Sequence, residues 1–182
     1  TWEKGNMSVG PDCGGCRSFM IPDFDRYNTI SKLFWYNVNE HGDDITLWRK
    51  QRGAWESLTW REYGEWSRDM GNALLACGMN RGDKVSILSQ TRLEWVVCDM
   101  AIMGIGCVTA PIYNSNTEEQ VYYIAEHSDS RLAFVEDQEQ LDKMLAIWEK
   151  LPQIERIVVF DKYVPNDLPN VTSLRDFMEM GA

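Results

Sequence analysis

One stretch, Gly82 to Tyr113, limits the folds open to this chain more than any other. Gly82-Asp83 is a turn signal, and Lys84-Val85-Ser86-Ile87-Leu88 reads as a short strand. Arg92 to Ile105 is apolar almost all round, with Trp95, Val96, Val97, Met100, Ile102 and Met103, the pattern of a buried helix. Cys107-Val108-Thr109-Ala110 is a second short apolar run, and Pro111 is expected to stop it. Strand, helix and strand with short connections make one βαβ unit. Such a unit lays its strands parallel and crosses over right-handed.

The other elements add to this unit. Thr1 to Asp23, broken by Gly5, Gly10-Pro11 and Gly14-Gly15, reads as irregular, with Trp2 and Phe19 as anchors. Asn28 or Thr29 is placed to cap a helix carrying Ile30, Leu33, Phe34 and Val38 on one face, with Gly42 as its stop. Ile45 to Trp48 and Trp55 to Leu58, with Gly53 in the turn, predict an antiparallel hairpin. Thr59 and Glu62 have capping-box spacing, and Tyr63, Trp66, Met70, Leu74 and Cys77 follow as one stripe up to Gly78. Ser115 and Glu118 repeat that spacing before a helix with Val121, Ile124 and Ala125 on its buried face. Leu132 to Val135 predicts a strand. Asp137 then caps a helix bearing Leu141, Met144, Leu145, Trp148 and Leu151, which Pro152 ends. Arg156 to Phe160 predicts a last strand, and Leu174 to Met180 a short terminal helix.

From Thr59 onward helices and strands alternate. The expected class is therefore α/β, a layered α/β/α arrangement with a mostly parallel sheet covered on both faces, plus the small antiparallel hairpin near the N-terminus. Residues 1–24 are expected to form an irregular segment and residues 25–182 one domain.

Composition narrows the function classes. A chain of 182 residues can bury roughly 70% of its unfolded surface in a single core. The net charge of −10 and the absence of a Lys/Arg cluster argue against a nucleic-acid partner. Acidity concentrates between Glu118 and Asp142, which reads as a solvated face. No basic segment followed by an apolar run opens the chain, and Met100 to Ile112, the longest uncharged apolar stretch, is too short to cross a bilayer. Five cysteines, three of them in apolar elements, fit a reducing cytoplasm better than a disulfide framework.

Individual residues offer little chemistry. Cys13-Gly14-Gly15-Cys16 has the spacing of half a zinc site or a redox pair, but no second ligand pair follows, and the motif lies in an irregular segment rather than opening a helix after a strand. Gly104-Ile105-Gly106 lacks the third glycine of a dinucleotide loop and lies between helix and strand, the reverse of the required order. Asp99, the charge inside the apolar helix, is expected at a wet edge. His41 and His127 have no nucleophile or carboxylate pairing, and Met100 and Met103 read as core filler. No Gly/Ser/Thr-rich run ends in lysine, so no phosphate loop is evident.

Leu58-Thr59-Trp60-Arg61-Glu62-Tyr63 resembles the first core motif, Leu-Thr-Tyr-x-Glu-Leu, of the AMP-forming adenylating enzymes, which include the acyl-CoA synthetases. Gly78 through Leu88 with Leu93-Glu94-Trp95 resembles the family's Gly-Asp-x-Val-x-Ile-Leu … Glu-Trp segment. Met103 to Tyr113, with Gly106 and Pro111-Ile112 in register, resembles the second core motif, and Gln120 to Ile124 fits the helix after it. The resemblance runs from about Asp25 to Asp161. Ala110 to Tyr113 and the Trp-rich hairpin lean toward the long-chain fatty acyl-CoA synthetases.

The resemblance implies a ligase that activates a fatty acid with ATP and Mg2+ to an acyl-adenylate and passes the acyl group to coenzyme A. The family's phosphate loop and its later nucleotide motifs lie downstream of the last strand recognised here. No catalytic, cofactor-binding or metal-binding residue is therefore carried over, and the chain is expected to be an inactive N-terminal part of the enzyme. Partners implied are fatty acid, ATP, coenzyme A and the rest of its own chain; a homodimer and peripheral membrane contact stay open. Two other readings also stay open. One is a non-enzymatic acyl-chain or protein-interaction module of the same fold; the other is an adenylating enzyme for aryl or amino acids.

Overall fold

The computed structural model describes residues 23–51, 53–161 and 168–181. The irregular segment with Trp2, Cys13, Cys16 and Phe19 lies outside them. Thr29 caps α1 (Ile30–Glu40), its hydroxyl accepting from the Lys32 N–H at 3.1 Å. Strands β1 (Ile45–Gln51) and β2 (Ala54–Thr59) form the expected antiparallel hairpin. Thr59 then caps α2 (Trp60–Ala76) with a complete capping box: its hydroxyl accepts from the Glu62 N–H, and the Glu62 carboxylate accepts from the Thr59 N–H at 2.8 Å. These bonds hold the Glu62 carboxyl below its ordinary value.

The α2 terminus shows why Gly78 is glycine. Its φ is +78°, and Gly78 N–H bonds to Leu75 O while Met79 N–H reaches Leu74 O. This paired 5→2 and 6→1 closure satisfies the orphan carbonyls and tucks Met79 into the core. Gly106 repeats the device after α3 (Leu93–Gly104), at φ +82° with Cys107 N–H on Ile102 O. Gly104-Ile105-Gly106 is thus a helix terminus.

Strands β3 (Lys84–Leu88), β4 (Val108–Ile112), β5 (Ser130–Val135), β6 (Arg156–Val159) and β7 (Val171–Ser173) form one parallel sheet in the order β4-β3-β5-β6-β7. The two-residue period sends alternate side chains to opposite faces. Val85, Ile87, Leu132, Phe134 and Val158 pack under α2, α3 and α6 (Leu174–Glu179). Leu88, Ala133, Val135, Ile157 and Val159 pack under α4 (Glu118–His127) and α5 (Gln138–Trp148). The layered α/β/α reading holds. A third cluster, Phe34, Leu58, Tyr63 and Val97, fastens α1 and the hairpin to α2 and α3. Among the described residues, no helix is long and apolar enough to cross a membrane.

Five expectations are corrected. Pro111 does not stop its strand but lies inside β4, which among the described residues is an edge strand paired with β3 alone, where a missing donor can face outward. Ser115 does not cap α4; Thr117 does, with Gln120 as its reciprocal partner. Ile30 is 63% exposed, since the first turn of α1 overhangs the core. On α3 only Val97, Cys98, Ala101 and Ile102 are buried, and Met100 and Met103 are half-buried flanks. Finally, β7 adds a strand that three residues were too few to signal.

Thr117→Ala is expected to lower stability by about 1 kcal/mol, whereas Ser115→Ala leaves it unchanged. Thermal melts of the two variants check this.

Candidate functional site at the carboxyl ends of the strands

From β3 the chain steps outward to β4, then crosses back to β5 on the other side. In open parallel sheets such a reversal leaves a crevice at the carboxyl ends of the two diverging strands, and ligands favour it. Here the loops after β3 and β5 bridge it. Glu136, directly after β5, donates its N–H to Leu88 O at 3.1 Å, and its carboxylate accepts from the Gln90 N–H at 2.8 Å. Arg92, the first residue before α3, reaches the same carboxylate at 3.5 Å.

Arg92 is the hub. Its Nε lies 2.6 Å from Glu94 Oε2, its Nη1 3.2 Å from Asp161 Oδ1, and its guanidinium 5.9 Å from the Phe160 ring centroid. Burial opposes its charge, but the bonds and charges of Glu94 and Asp161 prevail and hold the guanidinium above its ordinary value. Glu94 also faces Arg49 of β1 at 3.8 Å, and Arg49 bonds Glu56 across the hairpin at 2.8 Å. One chain of ion pairs therefore runs from the hairpin through α3 to the ends of β5 and β6.

Beside this chain lies a half-open cleft of about 860 Å³. Trp66, Met70, Val97, Phe160, Leu174 and Met178 make its apolar lining, and Arg49 and Arg175 are its cations. Arg175 pairs with Glu179 at 3.2 Å. Holding a polyphosphate requires uncommitted cations or a run of free backbone N–H groups. In this arrangement Arg49, Arg92 and Arg175 each pair with a carboxylate. Among the described residues no group of three or more His, Cys, Asp or Glu could hold a metal ion.

The other residues singled out in the sequence do not join this site. Asp99 is half-buried and accepts from Thr109 Oγ1 at 2.6 Å, tying α3 to β4. His41 lies 3.4 Å from Asp44, and His127 stacks on Tyr123 at 5.6 Å. Burial pushes the Cys98 thiol well above its ordinary value, so it stays protonated and inert. Asp83 anchors the opposite end of the sheet. It accepts from Asn80 N–H at 2.7 Å and from Arg131 at 2.5 Å, and these bonds, Asn80 first, hold its carboxyl below the usual range. The motif residues Thr59, Glu62, Asp83, Glu94 and Gly106 all do architectural work. Reading the sequence missed the Arg92 hub. The signal for it was a charged residue directly after two apolar runs, Glu136 and Asp161, and Arg92 four positions after a third.

Comparison with known proteins gives this architecture its place. The chain is 29% identical over 153 residues to long-chain-fatty-acid–CoA ligase ACSBG2 of Xenopus laevis and, over the same length, to ACSBG1 of Homo sapiens. Each alignment covers 84% of this chain and 21% of the relative, so the chain spans about a fifth of those proteins' length. Two solved structures share the fold. The anthranilate CoA ligase AuaEII in complex with anthranoyl-AMP superposes with a TM-score of 0.76 at 23% identity, over 85% of this chain and 28% of that one. The coronafacic acid ligase of Pectobacterium brasiliense does so at 0.74 and 15%, over 82% and 29%. The family model for AMP-binding enzymes matches residues 34–176, most of the chain, and this protein belongs to that family.

Proposed function

We propose that residues 25–182 form the N-terminal structural subdomain of an AMP-forming acyl-CoA synthetase acting on long-chain fatty acids. The observation that carries this reading is the alignment of 84% of the chain with long-chain-fatty-acid–CoA ligases. In the full-length enzyme the fatty carboxylate attacks the α-phosphorus of ATP, which forms the acyl–phosphate bond and releases pyrophosphate. The thiol of coenzyme A then attacks the acyl carbonyl and releases AMP. The described residues contribute no group to either step. Their part is to hold a rigid sheet whose carboxyl edge faces the rest of the enzyme, where water must be excluded from the mixed anhydride. The committed arginines support that division of labour.

The full-length protein is expected to release pyrophosphate with long-chain fatty acids, coenzyme A and Mg-ATP. A preference for aryl or amino acids would assign another branch of the family. No release with any acid class would favour a non-enzymatic module.

A further inference from the structure

The half-open cleft beside the Arg92 hub is apolar within and short of positive charge around its rim. Met70, Val97 and Phe160 are buried in its lining, and Trp66, Leu174 and Met178 are half-buried. Asp69, Glu94, Asp161, Asp176 and Glu179 share that lining with only Arg49 and Arg175. Neighbouring arginines do not restore the balance. Arg68 serves Asp69 at 3.3 Å, but Arg92 is divided among Glu94, Glu136 and Asp161, and Arg49 between Glu56 and Glu94. Asp176 has no ion pair among the described residues and accepts from Ser173 Oγ at 2.8 Å. Gly181 fixes where the chain leaves this cleft. A Cβ there would collide with Asp69 O and Ala73 N, and Asn72 Nδ2 donates to Gly181 O at 3.0 Å. The backbone therefore departs from α6 pressed against α2 beside Asp69, at the cleft's edge.

We propose that the cleft seats a segment of the protein's own chain beyond Ala182, one that carries large apolar side chains flanked by lysine or arginine. The proposal rests on the reading of residues 25–182 as the N-terminal part of a longer enzyme; the aligned relatives hold about four-fifths of their length outside the match. A segment tethered at the rim acts at an effective concentration on the order of millimolar, which no free partner matches. Its apolar side chains take the cleft's lining out of water. Its cations meet Asp176 and the carboxylates that share Arg92. Charge sets aside two other occupants. A fatty carboxylate or a phosphate would add an anion where cations are already short. A second copy would bring another chain of net charge −10 against an acidic rim.

The test is carbodiimide coupling of the full-length protein, which joins a carboxylate directly to a lysine amine, followed by peptide mass spectrometry. The expected product is an amide from Asp176, Asp69 or Glu179 to a lysine beyond Ala182 in the same polypeptide. Limited proteolysis reads the same contact. Met178→Glu places a charge among the cleft's apolar residues, and Asp176→Lys reverses the charge of an exposed rim residue. Each is expected to speed cleavage of the seated segment by at least about tenfold. Met178→Leu and Leu75→Glu, the latter an exposed change on α2 outside the cleft, are cleaved like the parent. Near-ultraviolet circular dichroism like the parent's confirms that the variants fold. Cleft carboxylates that couple to a second copy or not at all, variants cleaved like the parent, or a full-length sequence with no basic-flanked apolar segment after Ala182 would overturn the proposal. Pyrophosphate release by the parent is measured alongside, so failure of the ligase reading is told apart from failure of the docking.

Discussion

Phe134→Ala lowers the free energy of unfolding by about 3–5 kcal/mol. Phe134 sits in β5, the middle strand of the sheet, with no exposed surface. Its ring meets Phe177 edge-on at 5.7 Å and lies 5.9 Å from Phe160. Truncation removes these contacts and leaves a cavity that strands on both sides prevent from closing. A domain of this size is typically stable by about 5–15 kcal/mol, so the loss is a large share of the total. Melting should drop by roughly 10 °C. Phe134→Leu keeps most of the volume and should lose less than half as much. Phe177 pins the short helix α6 onto the sheet, so Phe134→Ala should also speed amide exchange in that helix. Chemical denaturation with exchange measurements checks both effects.

Arg92→Ala is the second large effect, about 2 kcal/mol, because one guanidinium serves Glu94, Glu136 and Asp161 together. The side chains of Glu136 and Glu94 are 14% and 19% exposed, so both would lose their shared cation in partly desolvated positions. Asp161, at 51% exposed, stays well hydrated. That exposure is why the figure falls short of a fully buried pair. Arg92→Lys should recover less than half of the loss, since one ammonium cannot fork to three carboxylates. Denaturant midpoints for the two variants, with an unchanged m-value, check the prediction.

These two residues mark what was legible in the sequence and what was not. The alternation from Thr59 to Phe160 disclosed the layers, because buried parallel strands are written as apolar runs of four to five residues. Gly78 and Thr59 located the ends of α2, since their roles depend on bonds to residues a few positions away. Features settled by partners distant in sequence stayed hidden. Nothing local shows that β4 is an edge strand, so Pro111 read as a stop. Ser115 and Thr117 both precede a suitable N3 residue, and the tertiary path of the chain selects Thr117. The three-residue β7 owes its existence to pairing with β6. The Arg92 hub joins residues up to 69 positions apart, a separation no short motif records. The family could be recognised because its motif residues here are caps, turns and anchors, whose spacing survives in the chain.

The claim beneath all of this is that residues 25–182 supply scaffold while nucleotide chemistry belongs to other parts of the enzyme. Titrating ATP into the 182-residue chain by calorimetry tests it most directly. The committed states of Arg49, Arg92 and Arg175 predict no saturable heat in the micromolar range. A saturable, micromolar ATP isotherm on this chain would contradict it.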